Sequence, residues 1–237
     1  TWRVLFLLLD VVWDGFNFFN GSGAGSAPNN TNACLKFTVK AGTTGIININ
    51  AHIREVEIEN GAILNVNDGV LLETENGVLN NGIIDLLGEA QLIQNHTGTS
   101  LNSGIGSLKI RQDGTNNVYN YNYWSSPVNR GGNWQIGYLE NDTKTVNFTT
   151  AYDGIVSPTT ITLSNRWLYG FKGAQNNYSA WAPLTTTTNI APGVGYTLKG
   201  SGAVTPEQEF VFRGTPNDGI YSFPVTANTE FLIGNPY

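Results

Sequence analysis

The sequence predicts an all-β protein, with an array of short glycine-punctuated strands followed by an antiparallel β-sandwich. Glycine, asparagine and threonine are abundant, with 28 glycines in 237 residues, and these residues favour turns or strands over helices. Apolar residues recur in short runs between turn residues, and no segment keeps a helical apolar period over three turns. Because 40% of the residues are hydrophobic, the chain can form a core rather than remain disordered.

Residues 1–35 are predicted to form an N-terminal strand and a loop. The strand is the N-terminal apolar segment, which consists of Val4, Leu5, Phe6, Leu7, Leu8 and Leu9. It is much shorter than the roughly 20 apolar residues that a membrane-spanning helix needs, so we predict no membrane span. We interpret it either as a buried strand or as a strand that completes a neighbouring sheet by strand addition, in this chain or in another subunit.

Residues 36–115 are predicted to form the array of short strands. Gly61, Gly69 and Gly77 are spaced by eight residues between short apolar runs. This spacing suggests the stacked turns of a β-solenoid, in which each turn buries its apolar face against its neighbours. The spacing drifts after Gly77, so a tight meander of hairpins remains the alternative.

The acidic residues of the array are predicted to be structural. Glu55, Glu57 and Glu59 alternate with apolar residues, which is typical of a strand with one solvated face. Residues 65–69 (NVNDG) place oxygen ligands at alternate positions, but they lack the bidentate glutamate of a calcium-binding loop. We therefore predict no catalytic residue, no metal site and no cofactor, and calcium is the alternative left open.

Residues 116–237 carry most of the aromatic residues and are predicted to form the β-sandwich. Tyr119, Tyr121 and Tyr123 occupy alternate positions near its start. Successive side chains of a strand point to opposite faces, so these three tyrosines should share one face.

Two interpretations of these tyrosines remain open. Together with Trp134 and Trp181, they could form a platform on which sugar rings stack. Alternatively, Trp124 and some of the tyrosines anchor the core, which is the more frequent place for aromatic residues in a sandwich.

The net charge and the small number of reactive side chains argue against two classes of function, nucleic-acid binding and catalysis. The net charge of −6 and the pI of about 4.8, with scattered basic residues, argue against a nucleic-acid partner. The single cysteine, Cys34, cannot form an internal disulfide. Two histidines and no Gly-x-Ser-x-Gly motif supply no recognisable nucleophile and base, so we predict that the protein is not an enzyme.

Four stretches of the second domain carry a resemblance to a known group of proteins. They are residues 121–127 (YNYWSSP), 190–196 (IAPGVGY), 212–219 (FRGTPNDG) and 231–237 (FLIGNPY). In order and spacing they resemble the large secreted surface proteins of Bacteroidota that are exported by the type IX secretion system. Residues 13–15 (WDG) and the glycine-punctuated array also resemble the module that usually precedes this domain. The N-terminal apolar segment has no counterpart in that group.

The resemblance implies an extracellular, cell-surface location and a non-enzymatic role as a structural or adhesive module. The N-terminal apolar segment then suggests a filament subunit that binds other copies of itself, or neighbouring modules of a longer chain, by strand addition. Because members of that group continue through further strands and a sorting domain, we expect the sandwich to be truncated at its C-terminus. The alternative is a carbohydrate-binding module whose partners are surface glycans.

Overall fold

A computed structural model of the chain describes residues 10–20, 25–204 and 207–237. The all-β class predicted from the sequence is confirmed, since these residues form strands and three short 3-10 helices. Within the described ranges, no helix has the length and the apolar character that crossing a membrane requires. The N-terminal apolar segment lies outside the described residues.

The chain divides into two compact units. Unit 1 consists of Thr1–Lys109 and Asp218–Ile220, and unit 2 consists of Ile110–Asn217 and Tyr221–Tyr237. The strands that begin in unit 1 are β1 (Val11–Trp13), β2 (Phe18–Phe19), β3 (Asn32–Val39), β4 (Thr44–Ile47), β5 (Ala51–Ile58), β6 (Ile63–Val66), β7 (Leu71–Thr74), β8 (Val78–Asn80), β9 (Ile83–Leu86), β10 (Gln91–Gln94) and β11 (Ser107–Thr115).

Unit 1 is a β-solenoid of about four turns. On one side, strands β1, β3, β5, β7 and β10 pair in parallel in that order. Strand β8 also pairs in parallel with β5, beyond the residues of β5 that pair with β7. On the other side, β4, β6, β9 and the first part of β11 pair in parallel. The hairpins of a meander would pair antiparallel, so the solenoid interpretation is confirmed and the meander is excluded. Strand β2 departs from this pattern, since it pairs antiparallel with β1.

The interior of the solenoid is filled by stacked aliphatic side chains. In β6, Leu64 and Val66 are buried while their neighbours in the strand are partly exposed, and Ile84 and Leu86 repeat this pattern in β9. The register places Leu64 next to Ile84 and Val66 next to Leu86. Each turn therefore covers the apolar layer of the turn before it, which is how a solenoid buries its core.

The regularly spaced glycines serve two different needs. Gly61 and Gly69 adopt φ values of +70° at turns, a left-handed conformation that glycine reaches without steric cost. Gly77 is outside the left-handed region, but a Cβ atom on it would lie 2.2 Å from the carbonyl oxygen of Leu101. Glycine at position 77 is thus required for close approach of the backbone and not for a left-handed turn.

Unit 2 contains the second part of β11 and nine further strands among the described residues. Their bounds are β12 (Tyr121–Trp124), β13 (Val128–Asn129), β14 (Thr145–Thr149), β15 (Thr160–Ser164), β16 (Tyr169–Ala174), β17 (Trp181–Pro183), β18 (Tyr196–Lys199), β19 (Glu207–Pro216) and β20 (Thr229–Phe231). The 3-10 helices are Ile136–Tyr138, Asn165–Trp167 and Tyr178–Ala180.

The sheets of unit 2 are mostly antiparallel. Strands β12, β18, β16 and β17 form one antiparallel sheet in that order, and β20 pairs with β16. Strand β19 lies between β13 and β11 in a second sheet. Strands β14 and β15 differ from the predicted antiparallel pattern, because they pair in parallel.

The core of unit 2 lies between β12 and β18 on one side and β19 on the other. The Trp124 ring makes edge contacts with Phe210 and Phe212 of β19, with centroid distances of 5.3 and 5.8 Å. Tyr196 of β18 is fully buried, and the Trp134 ring lies 5.2 Å from Phe212. Two layers of strands thus enclose an aromatic core, as the predicted sandwich requires.

Candidate functional site

Aromatic side chains line the outer face of the sheet formed by β12, β18, β16 and β17. Residues directly opposite each other in an antiparallel pair have their side chains on the same face. Tyr121 is opposite Lys199, and Tyr123 is opposite Thr197. Thr197 is in turn opposite Tyr169 of β16, so the same face continues across three strands.

The aromatic row continues into the fourth strand. Phe171 lies two residues after Tyr169 and therefore shares its face, and it is opposite Trp181 of β17. On the other face of this sheet, Tyr196 is fully buried and is opposite Trp124, whose ring packs against Phe210 in the core. The aromatic row is consequently on the side of the sheet that points away from the core.

Two adjoining cavities lie over this outer face, and together we call them the aromatic groove. The larger has a volume of about 560 Å³ and the smaller about 410 Å³, both within the range of about 300–1,000 Å³ that is typical of ligand sites. Tyr123, Tyr178 and Trp181 line both cavities. The smaller cavity has six aromatic lining residues, namely Tyr121, Tyr123, Trp167, Tyr169, Tyr178 and Trp181.

The Trp167 ring is held in place by contacts on several sides. It belongs to a 3-10 helix that begins where the Ser164 side chain accepts a hydrogen bond from the backbone N–H of Arg166. The indole Nε1 of Trp167 donates to the carbonyl oxygen of Tyr152 at 2.8 Å. The Trp167 ring also makes edge contacts with the rings of Tyr152 and Tyr121, with centroid distances of 4.9 and 6.2 Å.

A second capped 3-10 helix positions the most exposed ring of the groove. The Asn177 side chain accepts hydrogen bonds from the backbone N–H and the hydroxyl of Ser179, at 3.2 and 2.7 Å. This cap fixes the turn from which Tyr178 projects with 88% of its surface exposed. Trp181, directly after the helix, packs against Phe171 with a centroid distance of 5.0 Å.

Polar groups lie among these rings. Burial among neighbouring side chains raises the pKa of the Tyr121 phenol above its ordinary value of 10.0, and the nearby Tyr178 phenol adds a smaller effect. The Tyr121 hydroxyl therefore stays protonated at neutral pH, where it can donate and accept hydrogen bonds. The Lys199 ammonium group lies 3.8 Å from the Trp167 ring centre, and the Glu230 carboxylate lines the larger cavity.

The structure brings together three of the five predicted stacking residues. Tyr121, Tyr123 and Trp181 line the groove. Tyr119 is 79% exposed, but β12 begins after it, so it lies in a turn rather than on the strand face and lines neither cavity. Trp134 is 1% exposed in the core, which corrects its place among the candidate stacking residues.

Each of the two interpretations of the tyrosines applies to one face of strand β12. Trp124 anchors the core, as one interpretation expects. Tyr121 and Tyr123 instead point outward, with 36% and 58% of their surfaces exposed. The strand thus contributes to the core on one face and to the groove on the other.

Three aromatic residues of the smaller cavity were not singled out from the sequence as stacking candidates. Trp167, Tyr169 and Tyr178 come from two 3-10 helices and from β16. Trp167, Tyr169 and Phe171 occupy alternate positions, and this period of two is a signal that could have marked a shared face. Tyr178 has no such signal, because it projects from a single short turn.

Two of the acidic residues of unit 1 form ion pairs with lysines of the preceding turn of the solenoid. Glu57 accepts from Lys36 and Glu59 from Lys40, with N–O distances of 2.6 Å in both pairs. Asp68, in the stretch considered for calcium, accepts a hydrogen bond from the backbone N–H of Glu89 at 2.8 Å. Within residues 10–20, 25–204 and 207–237, no group of three His, Cys, Asp or Glu residues could hold a metal ion.

Comparison with known proteins places the chain in one family. Residues 20–237 match the sequence profile of a family described as a domain of unknown function, DUF8693. A search of curated proteins and a search of solved structures each found no match. The matched segment includes every residue that lines the aromatic groove. Since it covers most of the sequence, the chain belongs to the DUF8693 family.

Proposed function

We propose that the protein is a non-enzymatic, extracellular surface module that binds carbohydrate in the aromatic groove. The observation that carries this proposal is the continuous aromatic face of one sheet, with two adjoining cavities above it that share three aromatic lining residues. A sugar ring presents C–H groups on its faces and hydroxyl groups around its edge. Aromatic rings with polar neighbours match both, because tyrosine and tryptophan combine a large apolar surface with a polar group.

Exposure of the rings supports a binding role. Tyr123 and Tyr178 expose 58% and 88% of their surfaces, although each lies beside other aromatic side chains. Contiguous exposed apolar surface of this kind marks sites of interaction in soluble proteins. The Trp167 ring is held by a hydrogen bond, and the Asn177 cap fixes the backbone turn that carries Tyr178, so this part of the site is already ordered before a ligand binds.

The charged groups of the groove favour binding over hydrolysis. Glycoside hydrolysis ordinarily uses two carboxyl groups on either side of the scissile bond. Glu230 is the one carboxylate among the described residues that line the two cavities. A groove with one carboxylate and many aromatic rings is suited to holding a sugar chain without cleaving it.

The surface location is proposed from the resemblance to secreted surface proteins of Bacteroidota. The solenoid of unit 1 is consistent with a structural or adhesive module, because a stacked parallel array needs no reactive group to perform its role. Assembly into filaments by strand addition through the N-terminal apolar segment stays a prediction. Deleting residues 1–9 and measuring particle mass by light scattering tests it, since the proposed subunit would lose its ability to associate.

The carbohydrate proposal is tested by affinity gel electrophoresis of the purified protein against a panel of soluble polysaccharides. We expect at least one polysaccharide to retard the wild-type protein, and Trp181→Ala to remove the retardation. Pro183→Ala is a matched control, because Pro183 is on the same strand and lines neither cavity. Absence of retardation by every polysaccharide, or equal retardation of Trp181→Ala, would contradict the proposal.

A further inference from the structure

One end of the aromatic groove carries a cation that is held by rings rather than by a carboxylate. The Lys199 ammonium group lies 3.8 Å from the Trp167 ring centre and 4.7 Å from that of Tyr121. Lys36 and Lys40 of unit 1, in contrast, each contact a glutamate at 2.6 Å. Across the part of the chain that the structure describes, no acidic side chain forms an ion pair with Lys199.

The contacts of Lys199 hold its charge in place without neutralising it. A cation over an aromatic face is attracted by the ring quadrupole, but the ring carries no net charge. Lys199 itself lines neither cavity, but both rings that contact its ammonium group line the smaller one, and Lys199 is opposite Tyr121 on the same face of the sheet. An anionic group of a bound ligand would therefore find a fixed, uncompensated cation beside this cavity.

The larger cavity has the opposite charge. The exposed Glu230 carboxylate lines it, next to Phe231. Lys172 lies 4.7 Å from the Phe231 ring centre, but it follows Phe171 in β16 and therefore lies on the face of the sheet that points away from the groove. An anionic sugar is thus favoured at the Lys199 end of the groove and disfavoured at the Glu230 end, where a neutral sugar avoids the repulsion.

We propose that the groove selects acidic polysaccharides in which an anionic sugar, carboxylated or sulfated, alternates with a neutral sugar. This inference rests on the proposed carbohydrate binding and adds the substrate class. The anionic group binds at Lys199, and the adjacent neutral sugar lies in the larger cavity near Glu230. The net charge of −6 favours widely spaced anionic groups as well, because a densely charged polyanion is repelled by the protein as a whole.

The test compares four hexasaccharides by tryptophan fluorescence titration at fixed ionic strength. A hyaluronan fragment alternates uronate with a neutral sugar, a κ-carrageenan fragment alternates a sulfated sugar with a neutral one, a polymannuronate fragment is fully anionic, and cellohexaose is neutral. We expect one of the two alternating fragments to bind about tenfold or more tighter than cellohexaose, as a charge-assisted hydrogen bond allows. The carboxylated and sulfated fragments show which anionic group the site prefers.

Two variants assign the preference to the proposed ends of the groove. Lys199→Met should lower the affinity for the preferred alternating fragment to that for cellohexaose, and Lys199→Arg should retain the preference. Glu230→Gln should raise the affinity for polymannuronate. Lys172→Met is the control, because Lys172 also contacts an aromatic ring but alternates with Phe171, which faces the groove, and therefore lies on the other face of the sheet. Its loss should change no affinity.

The outcomes separate this inference from the proposal on which it rests. If cellohexaose binds as tightly as the alternating fragments and Lys199→Met changes neither, the acidic preference is overturned while carbohydrate binding stands. If polymannuronate binds as tightly as the alternating fragments, the alternation is overturned. If no hexasaccharide and no polysaccharide of the panel binds, both proposals fail.

Discussion

Replacing Gly82 with alanine should push apart two turns of the solenoid. The backbone of Gly82 is outside the left-handed region, so alanine causes no backbone strain there. A Cβ atom would, however, lie 2.1 Å from the carbonyl oxygen of Ala62 in the preceding turn and 2.8 Å from the Cγ2 of Ile58. The same oxygen accepts a hydrogen bond from the backbone N–H of Ile83 at 2.9 Å, so it cannot move away without weakening that bond.

The expected loss in the free energy of unfolding is about 2–4 kcal/mol. Overpacking of a filled interior costs about 1–3 kcal/mol, and a weakened backbone hydrogen bond adds about 1 kcal/mol. Gly69→Ala is the matched control, because Gly69 has φ +70° but open space around it. Its cost is the backbone strain of about 1–2 kcal/mol for a left-handed alanine.

Urea unfolding followed by circular dichroism compares the two variants, and amide hydrogen exchange locates the change. In Gly82→Ala, exchange should accelerate at Ile83 and at Ser107, whose backbone N–H donates to the carbonyl oxygen of Gly82 at 2.9 Å. The close stacking of turns would be refuted if Gly82→Ala cost less than Gly69→Ala and left both amides protected.

Two further predictions concern the core and the surface. Trp134→Ala should lower the free energy of unfolding by about 3–5 kcal/mol, because the ring is buried; an unchanged thermal midpoint would contradict its place in the core. The hydrogen bond from Lys40, with that from the backbone N–H of Ala41, holds the pKa of Glu59 below its ordinary value of 4.5. The resulting stabilisation is present above pH 4.5 and is lost as the pH falls through the lowered pKa. Glu59→Gln should therefore show a smaller drop in thermal midpoint between pH 7 and acidic pH than the wild type, and an equal drop would count against this interaction.

Local patterns predict the strands of this protein, while long-range pairing decides the architecture. Gly61 and Gly69 occur at turns, as their spacing suggests, because their left-handed conformation is a local requirement. Whether the strands stack as a solenoid or fold back as a meander depends on which of them pair. Those partners lie a full turn apart in the sequence, as Leu64 and Ile84 do, and no local signal selects them.

The aromatic groove, too, could be predicted only in part, because it depends on contacts between residues that are remote in the sequence. The alternation of Tyr121 and Tyr123 places both on one face of β12. Which face is outermost depends on Trp124 packing against Phe210, which is remote in the sequence. The ring of Tyr178 comes from a single capped turn, and such a turn has no periodic pattern from which its direction follows.

The central claim is that the outward aromatic face of unit 2 binds carbohydrate, and one comparison of two tyrosines tests it most directly. Tyr123 and Tyr119 are both exposed and lie close together in the chain, but Tyr123 lines the groove and Tyr119 does not. Replacing an exposed side chain costs little stability, so both alanine variants should remain folded. The measurement is the dissociation constant of each variant for the same polysaccharide. We predict that Tyr123→Ala weakens binding about tenfold or more, as the loss of a central aromatic contact does, and that Tyr119→Ala binds as the wild type. Equal affinities of the two variants would contradict the account.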